Sequence, residues 1–512
     1  MRGDKVVQLV KRMADAGRKR VLLADFPKLP LDDGLLKKLH EDSVDWAHAN
    51  GLVMRTREAK DRSDICMSAP FSLLPSPFPR ELFAHAEKVQ NDIARLYLGL
   101  AHERDFLIKC HEAVVKTDEF TGKMVEIYKK VLDGGLAQTF TLAIQRSDYM
   151  AHKDTFSKEL TLKQIEVNNI ASSMGGHAER VTKLHRRHLA ELGYTEQEIE
   201  SACPRNEPIA MIGEALFTAW KTYGKSDAGI LVVVENVNQN QLDQRHVEYE
   251  LEKLGIGSSL VHRRNLTQCH ETLALDSEKR LMLDQKHEIS VVYFRAGYSP
   301  DHYPTDAEWD ARLLMEQSAA IKTPWIGLQL ANTKKVQQVL AEDGVLERFT
   351  PNPRTAAAIR STFAGLWALE TTEPAILKII AHAEKSPDRY VLKPQLEGGA
   401  GNYYGDEIAE KLKTLSVDEK AAHILMEKLA PEVVQNYLVR AEHPIVLAEC
   451  VGELGIYGYA YAELDGEVTA RTGGHILRSK GKDVNEGGVA VGAAVIDSPF
   501  LYDMISDSDR TQ

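Results

Sequence analysis

A run of β-branched and aliphatic residues in the middle of the chain limits the possible folds most strongly. It reads Gly229-Ile-Leu-Val-Val-Val-Glu235, a pattern typical of a strand that is buried on both faces of a parallel sheet. A polar loop follows at 236–241, then a helical pattern over 242–254 and a second buried strand at 289–294. Because parallel strands need a long and usually helical connection, this alternation predicts a βαβ unit between about residues 225 and 335.

Hydrophobic periodicity outside this unit predicts a mixed α/β chain. Apolar residues recur every three or four positions in the helices that we predict at 79–106, 118–132, 178–192, 306–320 and 334–342. Two further strands are predicted at 139–145 and 163–170, and the chain from Tyr390 onward is rich in strand patterns and glycine. These patterns divide the chain into three regions with soft limits, which are 1–224, 225–335 and 336–512.

The composition restricts the functional class. The net charge of −12 over 512 residues argues against a general nucleic-acid-binding surface. The five cysteines are scattered without CxxC spacing, as expected of reduced intracellular thiols rather than of disulfides or a zinc site. No apolar stretch approaches the roughly 18 residues of a membrane-spanning helix, and the N-terminus lacks the apolar segment of a secretory signal. The sequence therefore predicts a cytosolic protein that binds neither nucleic acid nor membrane.

One glycine-rich segment carries groups that suit a polyphosphate and a divalent cation. Lys393-Pro-Gln-Leu-Glu397-Gly398-Gly399-Ala-Gly-Asn402 follows the apolar run Tyr390-Val-Leu392. A lysine offers a point charge on a long stem to phosphate oxygens, and glycines let backbone N–H groups approach the anion closely. Glu397 supplies the hard oxygen that magnesium prefers. Taken alone, the segment is also compatible with an ordinary turn.

A second candidate for cation binding is the strand that contains Glu166 and Asn168. Residues two apart on a strand face the same side, so a carboxylate and an amide oxygen would project together. The site needs a further carboxylate, for which we predict Glu397, and a solvated strand face is the alternative. Lys334 and Lys335 begin a predicted helix, where lysine and the helix N-terminus both attract phosphate. An exposed lysine pair is the alternative there.

Other charged residues occur at or near predicted strands. Arg146 lies just past the strand at 139–145, and Arg295 and Tyr298 lie at the end of the strand at 289–294. Ligands gather at the carboxyl ends of strands in open α/β sheets, so these arginines are candidates for carboxylate binding, with surface salt bridges as the alternative. Arg478 and Lys480 share one face of a predicted strand and could clamp two anions.

Two weaker signals complete the set. The small-residue stretch Glu486-Gly-Gly-Val489-Ala490-Val-Gly492 predicts a flexible lid over a ligand, although a simple turn also has this composition. Glu453 lies in a glycine-spaced strand and could accept a hydrogen bond from a ribose, although most strand glutamates face water.

These segments resemble the eukaryotic glutathione synthetase family of ATP-grasp ligases. The resemblance runs from about Ser43 to Leu501. It lies in the set and order of segments and not in any one motif. The segments that carry it are Gln145-Arg-Ser-Asp-Tyr-Met150, Ile165-Glu-Val-Asn168, Val292-Tyr-Phe-Arg-Ala-Gly-Tyr298, Thr333-Lys-Lys-Val-Gln-Gln338, Val391-Leu-Lys-Pro-Gln-Leu-Glu-Gly-Gly399 and Glu486-Gly-Gly-Val-Ala490.

The resemblance implies a role for each matching residue. The positions that match magnesium ligands are Glu166, Asn168 and Glu397. The positions that match ATP contacts are Glu166, Lys334, Lys393, Glu397, Gly398, Gly399, Asn402, Tyr404, Met426, Glu427, Lys428, Leu429, Glu453, Lys480 and Glu486. The positions that match contacts to the dipeptide or glycine are Arg146, Ile170, Ala171, Ser172, Ser173, Asn238, Gln239, Asn240, Gln244, Arg295, Ala296, Gly297, Tyr298, Arg478, Val489 and Ala490. The residues expected to act in catalysis are Arg146, Lys334, Lys393 and Arg478.

The resemblance also implies a fold and a reaction. The expected fold is an ATP-grasp α/β fold with an inserted parallel-sheet βαβ substrate domain at 225–335 and a glycine-rich lid. Region 1–224 would hold N-terminal helices and part of the ATP-grasp core, including the metal strand at 163–170. Region 336–512 would hold the rest of the core, the phosphate loop and the lid.

The expected reaction joins γ-glutamylcysteine to glycine with ATP and Mg²⁺, through an acyl phosphate, in a homodimer with one active site per subunit. A ligase for β-alanine or serine, and a non-catalytic nucleotide-binding relative, remain as alternatives. A kinase-type phosphotransferase is disfavoured because HRD and Walker sequences are absent.

The chain departs from the family pattern at three positions. Ala171-Ser-Ser173 replaces the Ser-Ala-Ser that often follows the metal strand, so the side chain of Ala171 cannot hydrogen-bond a substrate. Ala400 replaces a third glycine of the phosphate loop, which would cost about 1 kcal/mol if that position had positive φ. Glu486 stands where aspartate is common, which keeps the charge and lengthens the reach.

Overall fold

The structure is a computed structural model that describes residues 19–154, 157–395, 401–464, 466–485, 487–489 and 492–504. Helices alternate with strands along most of this length, and the strands form several sheets. The prediction of a mixed α/β chain is therefore confirmed. None of the helices in these ranges is both long and apolar enough to cross a membrane.

Along the chain, the described α-helices precede or connect the strands. Their bounds are α1 Asp33–Ala49, α2 Arg80–Leu100, α3 Arg104–His111, α4 Glu119–Asp133, α5 Gly175–Glu191, α6 Glu196–Ala202, α7 Pro208–Tyr223, α8 Gln241–Lys253, α9 Leu266–Thr272, α10 Asp306–Gln317, α11 Ile326–Ala331, α12 Lys334–Ala341, α13 Val345–Phe349, α14 Pro353–Thr362, α15 Pro374–Lys385, α16 Asp406–Thr414 and α17 Val417–Ala421.

The described strands range from two to 18 residues in length. Their bounds are β1 Val53–Arg55, β2 Cys66–Ser68, β3 Phe71–Ser72, β4 Ser76–Pro79, β5 Phe140–Lys153, β6 Leu160–Asn168, β7 Gly229–Val233, β8 Val261–Arg264, β9 Leu273–Leu275, β10 Leu281–Leu283, β11 His287–Phe294, β12 Ile321–Thr323, β13 Leu366–Ala368, β14 Tyr390–Pro394, β15 His423–Glu427, β16 Val433–Val439, β17 Val446–Glu463, β18 Thr469–Gly481, β19 Val495–Asp497 and β20 Pro499–Tyr502.

One long helix predicted from the sequence is two helices. The prediction at 79–106 crosses the end of α2 at Leu100 and the start of α3 at Arg104. Phe106 and Leu107 pack against the same hydrophobic cluster as α2, so the apolar periodicity continues across the break. The other five predicted helices, including the one at 242–254, are confirmed, with ends that differ by a few residues.

The strand predicted at 139–145 is too short. In the structure β5 runs to Lys153, and Arg146, Ser147 and Asp148 lie inside it. These polar residues are buried, whereas polar residues after an apolar run usually indicate the end of a strand. Arg146 therefore does not lie just past a strand, and that part of the prediction is wrong.

A seven-stranded sheet forms the larger platform of the molecule. Its order is β16-β3-β19-β18-β17-β5-β6, and β16 also pairs with β17, so five of the strands form a closed ring of pairings. Phe71 of β3 pairs with Val439 of β16 on one side and with Ile496 of β19 on the other. Strands from both ends of the chain thus meet in one sheet.

A six-stranded sheet contains the predicted βαβ unit. Strand β7 lies between β8 and β11 and is parallel to both, and β12 also pairs in parallel with β11. Strands β9 and β10 are antiparallel additions at one edge. Helix α8 connects β7 to β8, a strand that the sequence did not predict because Val-His-Arg-Arg has no apolar run.

A three-stranded antiparallel sheet, in the order β13-β15-β14, has a separate small core with α15 and α16. The N–H of Leu392 in β14 donates to the carbonyl oxygen of Tyr403, and the reverse bond is also made. The residues on either side of the glycine-rich segment are therefore held together. Lys393 lies on β14 itself, one residue before its end.

Candidate active site

Strands β5 and β6 bring four polar residues onto one face of the seven-stranded sheet. Arg146 pairs with Asn168 and Asp148 pairs with Glu166 across the two strands. Alternate residues of a strand share a face, so the four side chains form one patch. Asn168 Nδ2 lies 3.0 Å from Asp148 Oδ2, and carboxylate oxygens of Asp148 and Glu166 lie within 4.8 Å of each other.

Strands β17 and β18 extend this patch on the other side of β5. Glu453 pairs with Arg478 across them, and the Arg478 guanidinium donates to the Glu453 carboxylate and, at 2.9 Å, to Asp148. Lys480 lies two residues further along β18, with Nζ 2.5 Å from the carbonyl oxygen of Asn485. Arg478 and Lys480 thus share a face, as the sequence predicted.

A β-bulge in β6 shapes the edge of the patch. Asp148 pairs with Glu166, but the next residue of β5, Tyr149, pairs with Gln164, so Ile165 is left over in β6. The carbonyl oxygen of Ile165 accepts a hydrogen bond from Lys393 Nζ at 3.4 Å. The bulge therefore links the seven-stranded sheet to the three-stranded sheet that carries Lys393.

The start of α12 supplies another lysine. The Thr333 hydroxyl caps the helix by accepting from the Val336 N–H, and Lys334 is the first helical residue, only 4% exposed. His111 Nε2 lies 2.8 Å from the same hydroxyl. Burial lowers the pKa of His111 to about 4, so a neutral imidazole supports the cap. The predicted helix start at Thr333-Lys334-Lys335 is confirmed.

These elements surround a cavity of about 380 Å³. It opens between the seven-stranded and the three-stranded sheets. Its described charged and polar lining residues are Glu166, Lys334, Lys393, Asn402, Tyr404, Glu427, Lys428, Glu453, Arg478, Lys480, Lys482, Asp483 and Asn485. Its apolar lining residues are Met150, Ile165, Val391, Met426, Leu429, Pro431, Val451 and Val484, and Gly487 and Gly488 complete the described lining.

The charges around the cavity shift the pKa values of its carboxyl groups in opposite directions. Burial raises the pKa of Glu166, but Lys334 and Lys393 outweigh burial and hold that pKa below its usual range. Burial raises the pKa of Glu453, and the nearby charge of Arg478 offsets only part of the rise. Of the two carboxyl groups, Glu166 is therefore the better cation ligand, because its lower pKa keeps it ionised.

A second cavity, of about 480 Å³, lies beside the loop that follows β6. Its described lining residues are Arg57, Lys60, Ala171, Ser173, Met174, Glu235, Val237, Asn238, Gln239, Asn240, Gln244, Arg295 and Tyr298. Two guanidinium groups hold the loop, since Arg146 Nη1 donates to the Ser173 carbonyl at 3.2 Å and Arg295 Nη1 to the Ser172 carbonyl at 2.7 Å. Ser173 thus connects the loop of this cavity to the patch on β5.

The structure gathers most of the predicted site residues into these two cavities. All the described residues predicted for ATP line the first one, together with Arg478. Eight of the residues predicted for the dipeptide or glycine line the second. The predicted residues in neither described lining are Arg146, Asn168, Ile170, Ser172, Ala296, Gly297 and Val489. The predicted residues Glu397, Gly398, Gly399, Glu486 and Ala490, and the substituted Ala400, lie outside the described residues.

Sequence reasoning missed several residues of these sites. Asp148 went unnoticed because its strand was predicted to end at Gln145; two residues from Arg146, it shares that residue's face. Arg57 and Lys60 lie on the exposed segment between β1 and β2, where cations carry no recognisable pattern. Glu235 was read only as the end of an apolar strand, and its carboxylate accepts from the Tyr298 hydroxyl at 2.9 Å.

Comparison with known proteins gives a consistent result. A family model described as the eukaryotic glutathione synthase ATP-binding domain matches residues 33–501. Glutathione synthetase of Xenopus laevis is 40% identical over 473 residues, which cover 92% of this chain and 98% of that protein. Glutathione synthetase of Homo sapiens is 40% identical over 471 residues, with the same coverage of 92% and 98%.

More distant proteins are similar over the same extent. The chloroplastic glutathione synthetase of Solanum lycopersicum is 34% identical and is covered to 85% by 92% of this chain. The solved apo structure of a glutathione synthetase-like effector from Globodera pallida has a TM-score of 0.74 at 28% identity, covering 94% of this chain and 100% of that one. The similarity therefore extends over sequence and fold alike.

Proposed function

The chain belongs to the eukaryotic glutathione synthase family and is an ATP-dependent ligase that forms glutathione from γ-glutamylcysteine and glycine, and we propose that ATP binds in the first cavity and the dipeptide in the second. The observation that carries this assignment is the lining of the first cavity. Three lysines from three separate elements, Lys334, Lys393 and Lys480, converge there with an ionised Glu166. That is the charge pattern a triphosphate needs.

We propose that the reaction proceeds through an acyl phosphate. A carboxylate does not acylate an amine directly, because an oxide ion would have to leave. An oxygen of the cysteinyl carboxylate therefore attacks the γ-phosphorus, and the bond from that phosphorus to the bridging oxygen of ADP breaks. The glycine amine, as the free base, then attacks the carbonyl carbon, inorganic phosphate leaves with its bonding electron pair, and the amine proton passes to solvent or phosphate.

The protein's part in these steps is positioning and charge neutralisation. Lys334, Lys393 and Lys480 would balance the charge of the phosphates. Arg146 and Arg478 would orient substrate oxygens near the junction of the two cavities, since both lie on the patch between them. Exclusion of water would protect the acyl phosphate, which is the role that we propose for a lid at Gly487–Gly492.

The residues present fit a magnesium ion. Carboxylate and amide oxygens are hard ligands, and the lowered pKa of Glu166 keeps that carboxylate ionised at neutral pH. Glu166 and Asn168, together with Glu397, would hold the ion, which would withdraw charge from the phosphate oxygens. Carboxylate oxygens of Asp148, Glu166 and Glu453 lie within 4.8 Å of one another. Arg146 and Arg478 pair with Asp148, and Arg478 also pairs with Glu453, which leaves Glu166 as the carboxylate for the ion.

The second cavity suits a dipeptide with its own carboxylate and amine. Arg295 is buried there, and Asn238, Gln239, Asn240 and Gln244 offer amide groups as donors and acceptors. Arg57 and Lys60 add positive charge at the exposed side of the cavity. A γ-glutamyl group has both the negative charge and the hydrogen-bonding groups to match this lining.

We further propose an ATP-grasp architecture with the three domains predicted from the sequence. The ATP cavity lies between the mainly antiparallel seven-stranded sheet and the antiparallel three-stranded sheet, and the mainly parallel six-stranded sheet is built from the middle of the chain. All five cysteines are free thiols, which supports a reducing compartment such as the cytosol. The homodimer rests on the family resemblance, and sedimentation equilibrium would test it.

The central test measures ADP release with γ-glutamylcysteine, with and without glycine. We expect full turnover only with both, and weaker turnover when β-alanine or serine replaces glycine. Lys393→Ala and Glu166→Gln should each lower kcat by roughly 100-fold, because each removes charge that the phosphates need. Lys385→Ala, an exposed lysine of α15, is the matched control and should leave turnover unchanged. Turnover of Glu166→Gln at the normal rate in saturating Mg²⁺ would contradict the metal assignment.

A further inference from the structure

Asp148 lies where three residues of the proposed site meet. Its side chain is 0% exposed on β5. Arg146 contacts both carboxylate oxygens, with Nε 2.6 Å from Oδ1 and Nη2 2.8 Å from Oδ2. Oδ2 also accepts from Arg478 Nη2 at 2.9 Å and from Asn168 Nδ2 at 3.0 Å. One carboxylate thus joins groups from β5, β6 and β18.

We propose that Asp148 is a positioning residue that orients the Asn168 amide toward the metal and holds the guanidinium groups of Arg146 and Arg478 in place. The inference rests on the proposed function, in which Asn168 is a metal ligand and the two arginines hold substrate oxygens. Asp148 itself lines neither of the two cavities. It acts through the residues it contacts.

The orientation of the Asn168 amide follows from its partners. An ionised carboxylate and a backbone carbonyl only accept hydrogen bonds. Asn168 Nδ2 lies 3.0 Å from Asp148 Oδ2 and 3.4 Å from the Arg146 carbonyl oxygen, so the NH₂ group must face both acceptors. The amide oxygen then points away from them and stays available as a hard ligand. A rotated amide would bring its oxygen against two acceptors, which is unfavourable.

The two arginines depend on Asp148 to different degrees. Both contact the same carboxylate, so two positive charges lie close together and would repel each other without it. Arg478 also donates to Glu453, which gives it a second anionic partner. The other hydrogen bond of Arg146 goes to the neutral carbonyl of Ser173. Asp148 therefore matters most for Asn168 and Arg146.

The test replaces the carboxylate by its isosteric amide and measures cation binding without turnover. Asp148→Asn keeps the shape but removes the negative charge, and its NH₂ group takes the place of one of the two oxygens that accept hydrogen bonds from Arg146, Arg478 and Asn168. Mn²⁺ binding in the presence of ADP, read from the electron paramagnetic resonance signal of free Mn²⁺, should weaken roughly tenfold or more, since the hydrogen bond that orients the Asn168 ligand loses its charge assistance. Asp227→Asn, the same substitution at an exposed position, is the control and should leave the Kd unchanged.

A double-mutant cycle separates positioning from a general structural effect. In an Asn168→Ala background the amide is gone, so Asp148→Asn should change the Mn²⁺ Kd by less than about twofold. Equal weakening in both backgrounds would overturn the inference. Should Asp148→Asn fail to fold, Asp148→Glu serves instead, because it keeps the charge between the arginines but displaces the oxygen from Asn168, and the same weakening is expected.

Glu166→Gln distinguishes this inference from the proposed function. If Glu166→Gln weakens Mn²⁺ binding and Asp148→Asn does not, the metal site stands and the role of Asp148 is rejected. If neither variant changes the Kd, the metal assignment itself fails, and the positioning role fails with it.

Discussion

Gly455 makes room for the charged patch at the scale of a single residue. It pairs with Asp148 across β17 and β5, and a Cβ atom there would lie 2.7 Å from Asp148 Oδ1 and 2.8 Å from Arg146 Cδ. Its backbone does not need positive φ, so the requirement is for space. A methyl group at this position would displace the Arg146 and Asp148 side chains, which belong to the polar patch on β5 and β6.

We therefore expect Gly455→Ala to reduce ligase activity by roughly tenfold or more while the protein still folds, because misplacing aligned groups is costly for rate. Steady-state kinetics with a thermal melt would measure both effects. Gly452→Ala on the same strand is the matched control, since the three atoms nearest to its Cβ would all belong to the Leu477 side chain, the first at 3.1 Å. Equal activity of the two variants would contradict the argument.

Single residues were predictable where their chemistry is distinctive and their position is marked by a neighbouring element. Lys393 comes directly after the apolar residues Tyr390–Leu392 and Lys334 begins a helix, and both line the first cavity. Asp148 was not predictable in the same way, because buried polar residues inside a strand look like the residues that end one. Because the end of β5 was predicted too early, Asp148, which contacts three residues of the proposed site, was not recognised.

The loop between β6 and α5 stores conformational strain at the scale of an element. Ala171 has φ of 51° and Met174 has φ of 69°, both in the left-handed region that favours glycine. Arg146, Arg295 and the Tyr457 hydroxyl all donate to carbonyl groups of this loop, which holds it in that conformation. Strain of this kind is often found at binding sites.

We expect Ala171→Gly to stabilise the protein by up to about 1 kcal/mol, because glycine adopts this φ without a Cβ clash. Ala190→Gly, in the exposed part of α5, should instead destabilise it by about 1 kcal/mol, as glycine does in a helix. Urea unfolding would measure both. If the two substitutions had the same sign, the loop would not be strained at Ala171.

Strands with a continuous run of apolar residues were easier to predict from the sequence than strands without one. The strongly apolar β7 and β11 were found as parallel neighbours, whereas β8 between positions 261 and 264 was missed, since its burial is only partial and its sequence is basic. The pairing of distant strands into one sheet was beyond prediction. Register depends on contacts between strands that local periodicity does not contain.

Buried histidines, among them His111, His177, His185 and His475, make the stability of the whole molecule sensitive to acid. Burial lowers the pKa of His111 and His177 to about 4 and that of His185 and His475 to about 3. The unfolded chain takes up protons near pH 6.5 and the folded protein does not, so their contribution to stability is complete above pH 6.5 and is lost as pH falls toward 4. Asp497, whose pKa burial raises to about 6, acts in the opposite direction but is one group against four.

We expect the free energy of unfolding to fall steeply between pH 6.5 and pH 4.5, by at most about 1.4 kcal/mol per pH unit for each histidine. His177→Leu should remove one part of that slope, and it should also stabilise the protein, because neither ring nitrogen of His177 has a hydrogen-bond partner among the described residues. His270→Leu, at an exposed position, should leave the slope unchanged. Urea titrations at several pH values would decide, and an unaltered slope in His177→Leu would contradict the assignment.

The placement of β3 between β16 and β19 has a consequence for biosynthesis. Phe71 leaves the ribosome long before its partner Ile496, which follows it by 425 residues along the chain. At about 5–20 residues per second, roughly 20 to 85 seconds pass before the sheet can close. Until then the seven-stranded sheet of the nascent chain lacks β19 and is accessible to chaperones. A premature stop codon even a few codons upstream of β19 would yield a polypeptide that cannot complete this sheet, which carries part of the proposed active site.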